Sequence, residues 1–317
     1  MANALTIVST WDSNYVAENF LTPALVTGGL FNGGYRVDPL VNKKKTFYVG
    51  SELSQIVFKK ETCGFSPNGT SEMTEVSLET QPMAINLEQC AAEYFDTIFK
   101  ETLKKGSNIY DLTGTVIEEF VRENYLRSLT NDTYILAWFA NTATTGIPFL
   151  TPFNGWFTLF ESDSAVEKIS IGSTGDWALN ALRTAYQSET GQLIRQQTNP
   201  VIKVTPNMYY NLLVTFENTG TDYGLARLSD GGVLTFRGIP VEEETVWGKA
   251  IRVNGLANDK RMFFGDLQNL HVGTDIANPG SDAKMFLHEL EEKTYFKMNF
   301  DLGVTYTHSN LIIYGRG

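Results

Sequence analysis

The chain has 317 residues, 42% of them hydrophobic and 19% charged, a balance that supports a packed core and excludes a disordered chain. Its 25 lysines and arginines stand against 36 acidic residues, and the net charge of -11 disfavours binding of nucleic acid or anionic lipid through the mean field. The segment Met1 to Val8 has no basic stretch followed by a continuous apolar one, and no run approaches the roughly 18 apolar residues of a membrane span, so an aqueous compartment and no membrane are expected.

Residues 1–35 read as an extended arm. They are poor in charge and end in Thr27-Gly28-Gly29-Leu30-Phe31-Asn32-Gly33-Gly34, where glycine resists regular structure. The scattered hydrophobes Trp11, Tyr15, Phe20, Leu21, Leu25 and Phe31 cannot form a core alone and need another surface. From Lys43 to Leu87 the pattern is strand-like: Thr46 to Val49, Gln55 to Phe58, and Thr74 to Thr80 in alternation. The turn formers Cys63 to Thr70 would reverse the chain between them. The expectation is a long two-stranded excursion, and because an isolated hairpin is marginal in water it must lie on its own domain or on a neighbour.

A helix is predicted from Leu87 to about Lys104, where Leu87, Cys90, Ala91, Tyr94, Phe95, Ile98, Phe99 and Leu103 recur at helical spacing. A second helix, Thr115 to Ala140, would span roughly 40 Å at 1.5 Å per residue and could serve as a domain's backbone. Trp156 to Phe160 reads as a buried strand or short helix. Further helices are predicted over Asp176 to Ser188 and from Pro206 through Phe216. Strands return at Val233 to Val241, Arg261 to Phe264, Leu270 to Val272, Thr294 to Tyr306 and Leu311 to Tyr314. The class is α+β, with strands towards both ends and helices between.

Little in the sequence carries catalytic chemistry. The glycines at 28, 29, 33 and 34 do not form a dinucleotide or phosphate loop. His288-Glu289-Leu290-Glu291-Glu292 lacks the second histidine of a zinc motif and reads as an acidic surface helix. No nucleophile elbow is present, and Glu242-Glu243-Glu244 reads as a solvated face. Cys63 and Cys90 read as free thiols. No cofactor, metal or catalytic residue is expected. Lys43-Lys44-Lys45 is the densest basic run, either a solvated turn or a set of donors for an acidic neighbour at the base of the excursion.

The order of elements resembles the capsid fold named after the Hong Kong 97 phage (HK97-like): N-terminal arm, extended β-hairpin loop, long spine helix, peripheral domain and axial domain. The most telling segments are Val233-Leu234-Thr235-Phe236-Arg237-Gly238-Ile239-Pro240-Val241, Phe264-Gly265-Asp266-Leu267-Gln268-Asn269-Leu270, Tyr295 to Val304 and Asn310 to Tyr314. The resemblance implies an arm over 1–35, an extended loop over 36–86, a peripheral domain with the spine helix over 87–172, an axial domain over 173–258, returning peripheral strands over 259–305 and a last axial strand over 306–317. It also implies a non-enzymatic major capsid protein of a tailed bacteriophage. Such a subunit self-assembles as pentamers and hexamers into a head that encloses double-stranded DNA without sequence-specific binding. It is made in the host cytoplasm, with separate scaffolding, portal and decoration proteins as partners. Subunit contacts are then expected at Trp11, Tyr15 and Phe20 of the arm, Lys43, Lys44 and Lys45 at the loop base, and Phe47, Tyr48, Phe58 and Phe65 in the loop. Two alternatives stay open: an encapsulin-like compartment with the same fold, and a carbohydrate-active enzyme or binding domain built on the aromatic strands.

Overall fold

The structure, a computed structural model, describes residues 10–11, 30, 33–50, 73–90, 116–218, 234–257, 259–275, 284–288 and 293–317. In chain order the strands are β1 (Thr10–Trp11), β2 (Arg36–Asp38), β3 (Lys44–Gly50), β4 (Met73–Glu79) and β5 (Gln81–Cys90). Then come helices α1 (Val116–Phe139) and α2 (Trp156–Ser162), β6 (Glu167–Ser170), α3 (Trp177–Gln187), α4 (Glu189–Ile194), β7 (Pro200–Val204) and α5 (Pro206–Asn218). The remainder is β8 (Thr235–Phe236), β9 (Ile239–Glu243), α6 (Thr245–Asn254), β10 (Arg261–Asp266), β11 (Leu270–Thr274), β12 (Lys284–His288), β13 (Lys293–Tyr306) and β14 (Ile312–Arg316).

Among the described residues the strands form three sheets: the first runs β1-β12-β13-β11-β2, with β5 also paired to β13; the second runs β6-β14-β10-β7-β9-β8; and β3 and β4 pair with each other. Residues 293–297 of β13 are hydrogen-bonded on both edges, by β5 and by β12.

The central strands β7, β10 and β14 of the second sheet are buried on both faces, which explains why they read as largely apolar runs rather than alternating ones. Met262 and Phe264 of β10 join one core with Ile313 of β14 and Ile202 and Val204 of β7. Phe263, Ile312, Tyr314 and Val201, on the opposite face, join the other. The first of these cores is closed by α3, whose Trp177, Ala178, Ala181, Leu182 and Ala185 form one stripe. Ser188 separates α3 from α4 and caps the latter, its Oγ accepting from Gly191 N at 3.0 Å. The second core is aromatic and centres on Trp138, whose ring lies 4.7 Å from Trp247, 4.8 Å from Trp156 and 4.9 Å from Phe157. The last turns of α1, from Leu129 to Phe139, are buried nearly all round, and α1 thus ends inside the domain it supports.

Two sequence expectations are corrected. Leu87 to Cys90 do not begin a helix; they complete β5, whose ten residues pair antiparallel with Leu302 through Lys293. The ladder overrides local helical spacing because Met83 and Ile85, on the same alternation, pack against the aromatic core. The remainder of the expected helix lies outside the described residues. His288 is not on an acidic helix either: it ends β12 and stands opposite Lys293. Both the helix 245–254 and the strands 167–170 and 200–204 escaped the sequence reading. Residues 261–266, expected among the returning peripheral strands, hydrogen-bond within the second sheet, between β7 and β14.

Candidate assembly surface

The β3–β4 hairpin pairs in strict register from Lys44 opposite Glu79 to Gly50 opposite Met73. Strand alternation divides its side chains between two faces. Lys45, Phe47, Val49, Val76 and Leu78 turn to one side, where Leu78 is fully buried; Tyr48 is 65% exposed and Met73 73% exposed on the other. The outer face pairs Lys44 with Glu79 at 3.1 Å, a solvent-exposed bridge that contributes little to stability.

A notch in the first sheet seats the hairpin's base. Gly273 of β11 and Gly303 of β13 are direct partners across the ladder. The chain from Leu78 to Thr80 crosses over them so closely that a β-carbon on Gly273 would stand 2.8 Å from Leu78 Cδ2, and one on Gly303 would overlap the Glu79 carbonyl oxygen. Thr80 N donates to Lys43 O at 2.9 Å, closing the base of the hairpin on itself, and Val41 N donates to Thr274 O at 3.2 Å, tying the entering chain to β11 of the sheet. Leu40 and Lys43 take left-handed backbone conformations, with φ of 59° and 66°, where the chain enters the hairpin. Such strain in non-glycine residues persists only where surrounding structure enforces it.

Beside the notch lies a buried polar cluster. Asp38 Oδ2 is 2.7 Å from His271 Nδ1 and Asp38 Oδ1 is 2.6 Å from Lys45 Nζ, while the Phe47 ring sits 4.6 Å from the imidazole. Burial opposes the Asp38 charge, yet hydrogen bonds from Lys45 and His271 outweigh it and hold the carboxyl below its usual value. Burial also pushes the imidazole of His271 down, helped by Arg36 and Lys45 and against the pull of Asp38, so the neutral ring donates its Nδ1 proton to the carboxylate. Both groups are depressed in the folded state, and the unfolded chain therefore binds more protons as pH falls. The contribution of His271 is present above its ordinary value of about 6.5 and is lost below it; that of Asp38 goes at lower pH still. The melting temperature should fall between pH 7 and pH 5, and His271→Gln should flatten that slope. Parallel slopes for parent and variant would show that the cluster does not titrate in this way.

Beyond its base the hairpin stands off from the body. A cleft of about 730 Å³ separates Val49, Thr74 and Val76 from Leu193, Tyr306 and Leu311. A second groove, of about 480 Å³, runs between α1 and the β5–β13 pair and is lined by Met83, Ile85, Tyr125, Leu129, Phe149 and Phe300.

The expected contact residues are placed as follows. Lys44 and Lys45 each have an acidic partner in the same chain, Phe47 packs on His271, and Tyr48 is exposed. Lys43 helps fasten the hairpin through its carbonyl. Trp11 lies in β1, paired with Met285 of β12. Tyr15, Phe20, Phe58 and Phe65 fall outside the described residues, as does Cys63. The notch and the Asp38–His271 pair went unnoticed, although a glycine inside an alternating strand, as at 303, is a signal of close backbone approach. Of the acidic triplet, Glu242 and Glu244 are not a free pair, since both are ion-paired to Lys203. Among the described residues no group of three or more His, Cys, Asp or Glu could hold a metal ion, and no helix is long and apolar enough to cross a membrane.

No protein-family model matches the sequence, and no curated protein matches it. Solved structures do. The chain is similar to a chain of the satellite phage P4 procapsid that includes the size-determination protein, with TM-score 0.58 and 11% identity over 93% of this chain and 97% of the other. It is similar to a protein of Mycobacterium phage Ogopogo, with TM-score 0.60 and 9% identity over 90% of each chain. A third likeness is to the capsid of the native GTA particle, with TM-score 0.55 and 12% identity over 92% of this chain and 89% of the other. Two mixed sheets, a long central helix and a projecting hairpin thus make the α+β fold of phage capsid proteins, and the likeness extends along nearly the whole chain.

Proposed function

We propose that this chain is the major capsid protein of a tailed bacteriophage, a structural, non-enzymatic subunit of the virion that self-assembles as pentamers and hexamers into an icosahedral head around double-stranded DNA. The observation that carries the reading is the shared fold over nine tenths or more of both this chain and the P4 procapsid chain. In HK97-like terms β3–β4 is the extended loop, α1 the spine helix, and the first sheet with the Trp138 core the peripheral domain. The second sheet with α3, α4 and α5 is the axial domain. Scaffolding, portal and decoration proteins are separate chains, and assembly takes place in the host cytoplasm.

The hairpin supports the assembly reading. Its described residues form a two-stranded sheet seated on the body at its base, with an open cleft beneath and Tyr48 and Met73 exposed above, and so have surface to give to a neighbour. The proposed contacts Phe47 and Tyr48 lie on its opposite faces; Trp11, Tyr15, Phe20, Phe58 and Phe65 complete the proposed set.

Negative-stain microscopy of the purified protein should show closed shells; a monomer or small oligomer at every concentration would defeat the reading. A sharper test uses the register. Gly50 and Met73 are direct partners, so residues 51–72 can be replaced by a two-residue Asn-Gly turn with Leu78 left in place. The shortened chain should melt as a folded subunit and sediment without particles. Normal shells from it would show that the hairpin is dispensable.

A further inference from the structure

A second surface carries an assignment of its own, on the face of the second sheet's helices and far in sequence from the hairpin. Tyr186, in the last turn of α3, has the Arg195 guanidinium 4.1 Å from its ring centre and the Arg237 guanidinium 4.7 Å from the same centre. The two cations can be no farther apart than the sum of those distances. Arg195 reaches the ring from the C-cap of α4, and its Nε donates to Gly191 O at 3.1 Å. Arg237 reaches it from the turn between β8 and β9, where Phe236 lies edge-on to Tyr186 at 5.8 Å. Among the described residues neither guanidinium has a carboxylate partner, and both are exposed.

Two features make this more than two surface arginines. Phe236 and Ile239 are direct partners, so Arg237 and Gly238 form a two-residue hairpin turn with φ of 50° and 89°. That turn favours asparagine or aspartate followed by glycine; an arginine in the left-handed region costs on the order of 1 kcal/mol. Strain of this kind persists only where the surrounding structure enforces it, here with the Arg237 guanidinium over the Tyr186 and Phe236 rings. The second feature is electrostatic: two guanidinium groups on one aromatic ring, with no carboxylate partner among the described residues, make a local positive patch, and the guanidinium fork is shaped to accept a carboxylate in a bidentate geometry.

We propose that Tyr186, Arg195 and Arg237 form a docking site for an exposed carboxylate side chain of a second copy of this chain, an assignment that rests on the self-assembly reading above. Charge complementarity selects that occupant. Each copy carries 36 acidic residues against 25 basic ones, so an approaching copy offers carboxylates in excess. A nucleic acid would meet the same net charge of -11 with two cations to grip it, too few to follow a phosphate backbone.

The test uses the full chain under assembly conditions. Arg195→Glu/Arg237→Glu should keep the subunit's melting temperature and raise the critical concentration for particle formation about tenfold or more, the equivalent of one charge-assisted pair per contact. A second measurement is independent of how that variant folds. Arg237→Lys supplies an amine that a carbodiimide joins to a touching carboxylate; mixing isotopically light and heavy chains should yield a bridged peptide of mixed mass from residue 237 to an Asp or Glu of the other chain. Shells without that bridge, or shells of the double-Glu variant at the parent's critical concentration, overturn the assignment and leave the capsid reading standing. A parent chain that never associates overturns both. A double-Glu variant that assembles normally but loses co-purifying DNA assigns the site to phosphate and overturns the proposal.

Discussion

Adding one methyl group at Gly303 is expected to destabilise the subunit by about 3 kcal/mol or more, at the top of the range for an overpacked site. The new β-carbon would overlap the Glu79 carbonyl oxygen and stand 2.9 Å from the Glu79 carbonyl carbon and 3.0 Å from Thr80 Cα. These obstacles are backbone, so no rotamer change relieves them. Gly303→Ala must push the Leu78–Thr80 crossing off the sheet or break the ladder at Gly273 and Leu302. Gly273→Ala should cost less, because it meets Leu78 and Thr80 side chains. Leu78→Ala in that background should then cost less than the two changes summed, since the truncation makes the space the methyl needs. Denaturant unfolding gives the ordering, and hydrogen exchange at Lys44 to Gly50 locates the damage. A Gly303→Ala chain as stable as the parent would mean that the hairpin does not cross the sheet there.

How far the sequence revealed this molecule depends on the range of the interaction concerned. The 24-residue helix, the hairpin strands and the long β13 were legible because a local period reports them: apolar residues at helical spacing in α1, alternation in β4 and β13. Leu87 to Cys90 misled because helical spacing there competes with a ten-residue ladder whose partner lies some two hundred residues away. The strands 167–170 and 200–204 are too short for a local period to report them; they exist because β14 and β10 pair with them. The same limit applies to the candidate site. Phe47 and Tyr48 could be picked out as aromatic residues on a hairpin, whereas Asp38 meets His271 only through the parallel pairing of β2 with β11. Nor does any local pattern connect Tyr186 with Arg237.

The other large effect is expected at Lys203. Alternation along β7 puts it on the Val201 face, towards the aromatic core, where it is almost fully buried. Its ammonium donates to Glu242 Oε2 at 2.8 Å and to Glu244, and lies 6.0 Å from the Tyr35 ring centre. Tyr35 and Tyr134 hydroxyls are 3.1 Å apart, and burial pushes the Tyr35 phenol up to about 12 and that of Tyr134 well above its usual value, so both remain neutral. Burial alone would lower the Lys203 ammonium, but the Glu244 charge and the hydrogen bonds to Glu242 and Glu244 raise it. Lys203→Met leaves Glu244 without its cation in a largely apolar site, and stability should fall by about 3–5 kcal/mol. Lys203→Met/Glu244→Gln should recover part of that loss, because the amide leaves no charge to solvate in the buried site. The sign of the shift fixes the pH dependence: a cation raised above its unfolded value keeps its full contribution below about pH 10. The deficit of Lys203→Met should therefore be constant from pH 6 to pH 9, in contrast to the acid-sensitive cluster at Asp38. A deficit that shrinks across that interval, or a double variant worse than the single one, would show that the ion pair is not what holds the site. The network joins Tyr35 just before β2, Tyr134 on α1, and the second sheet at β7 and β9, so its loss should loosen the entry of the chain into the hairpin as well as the core.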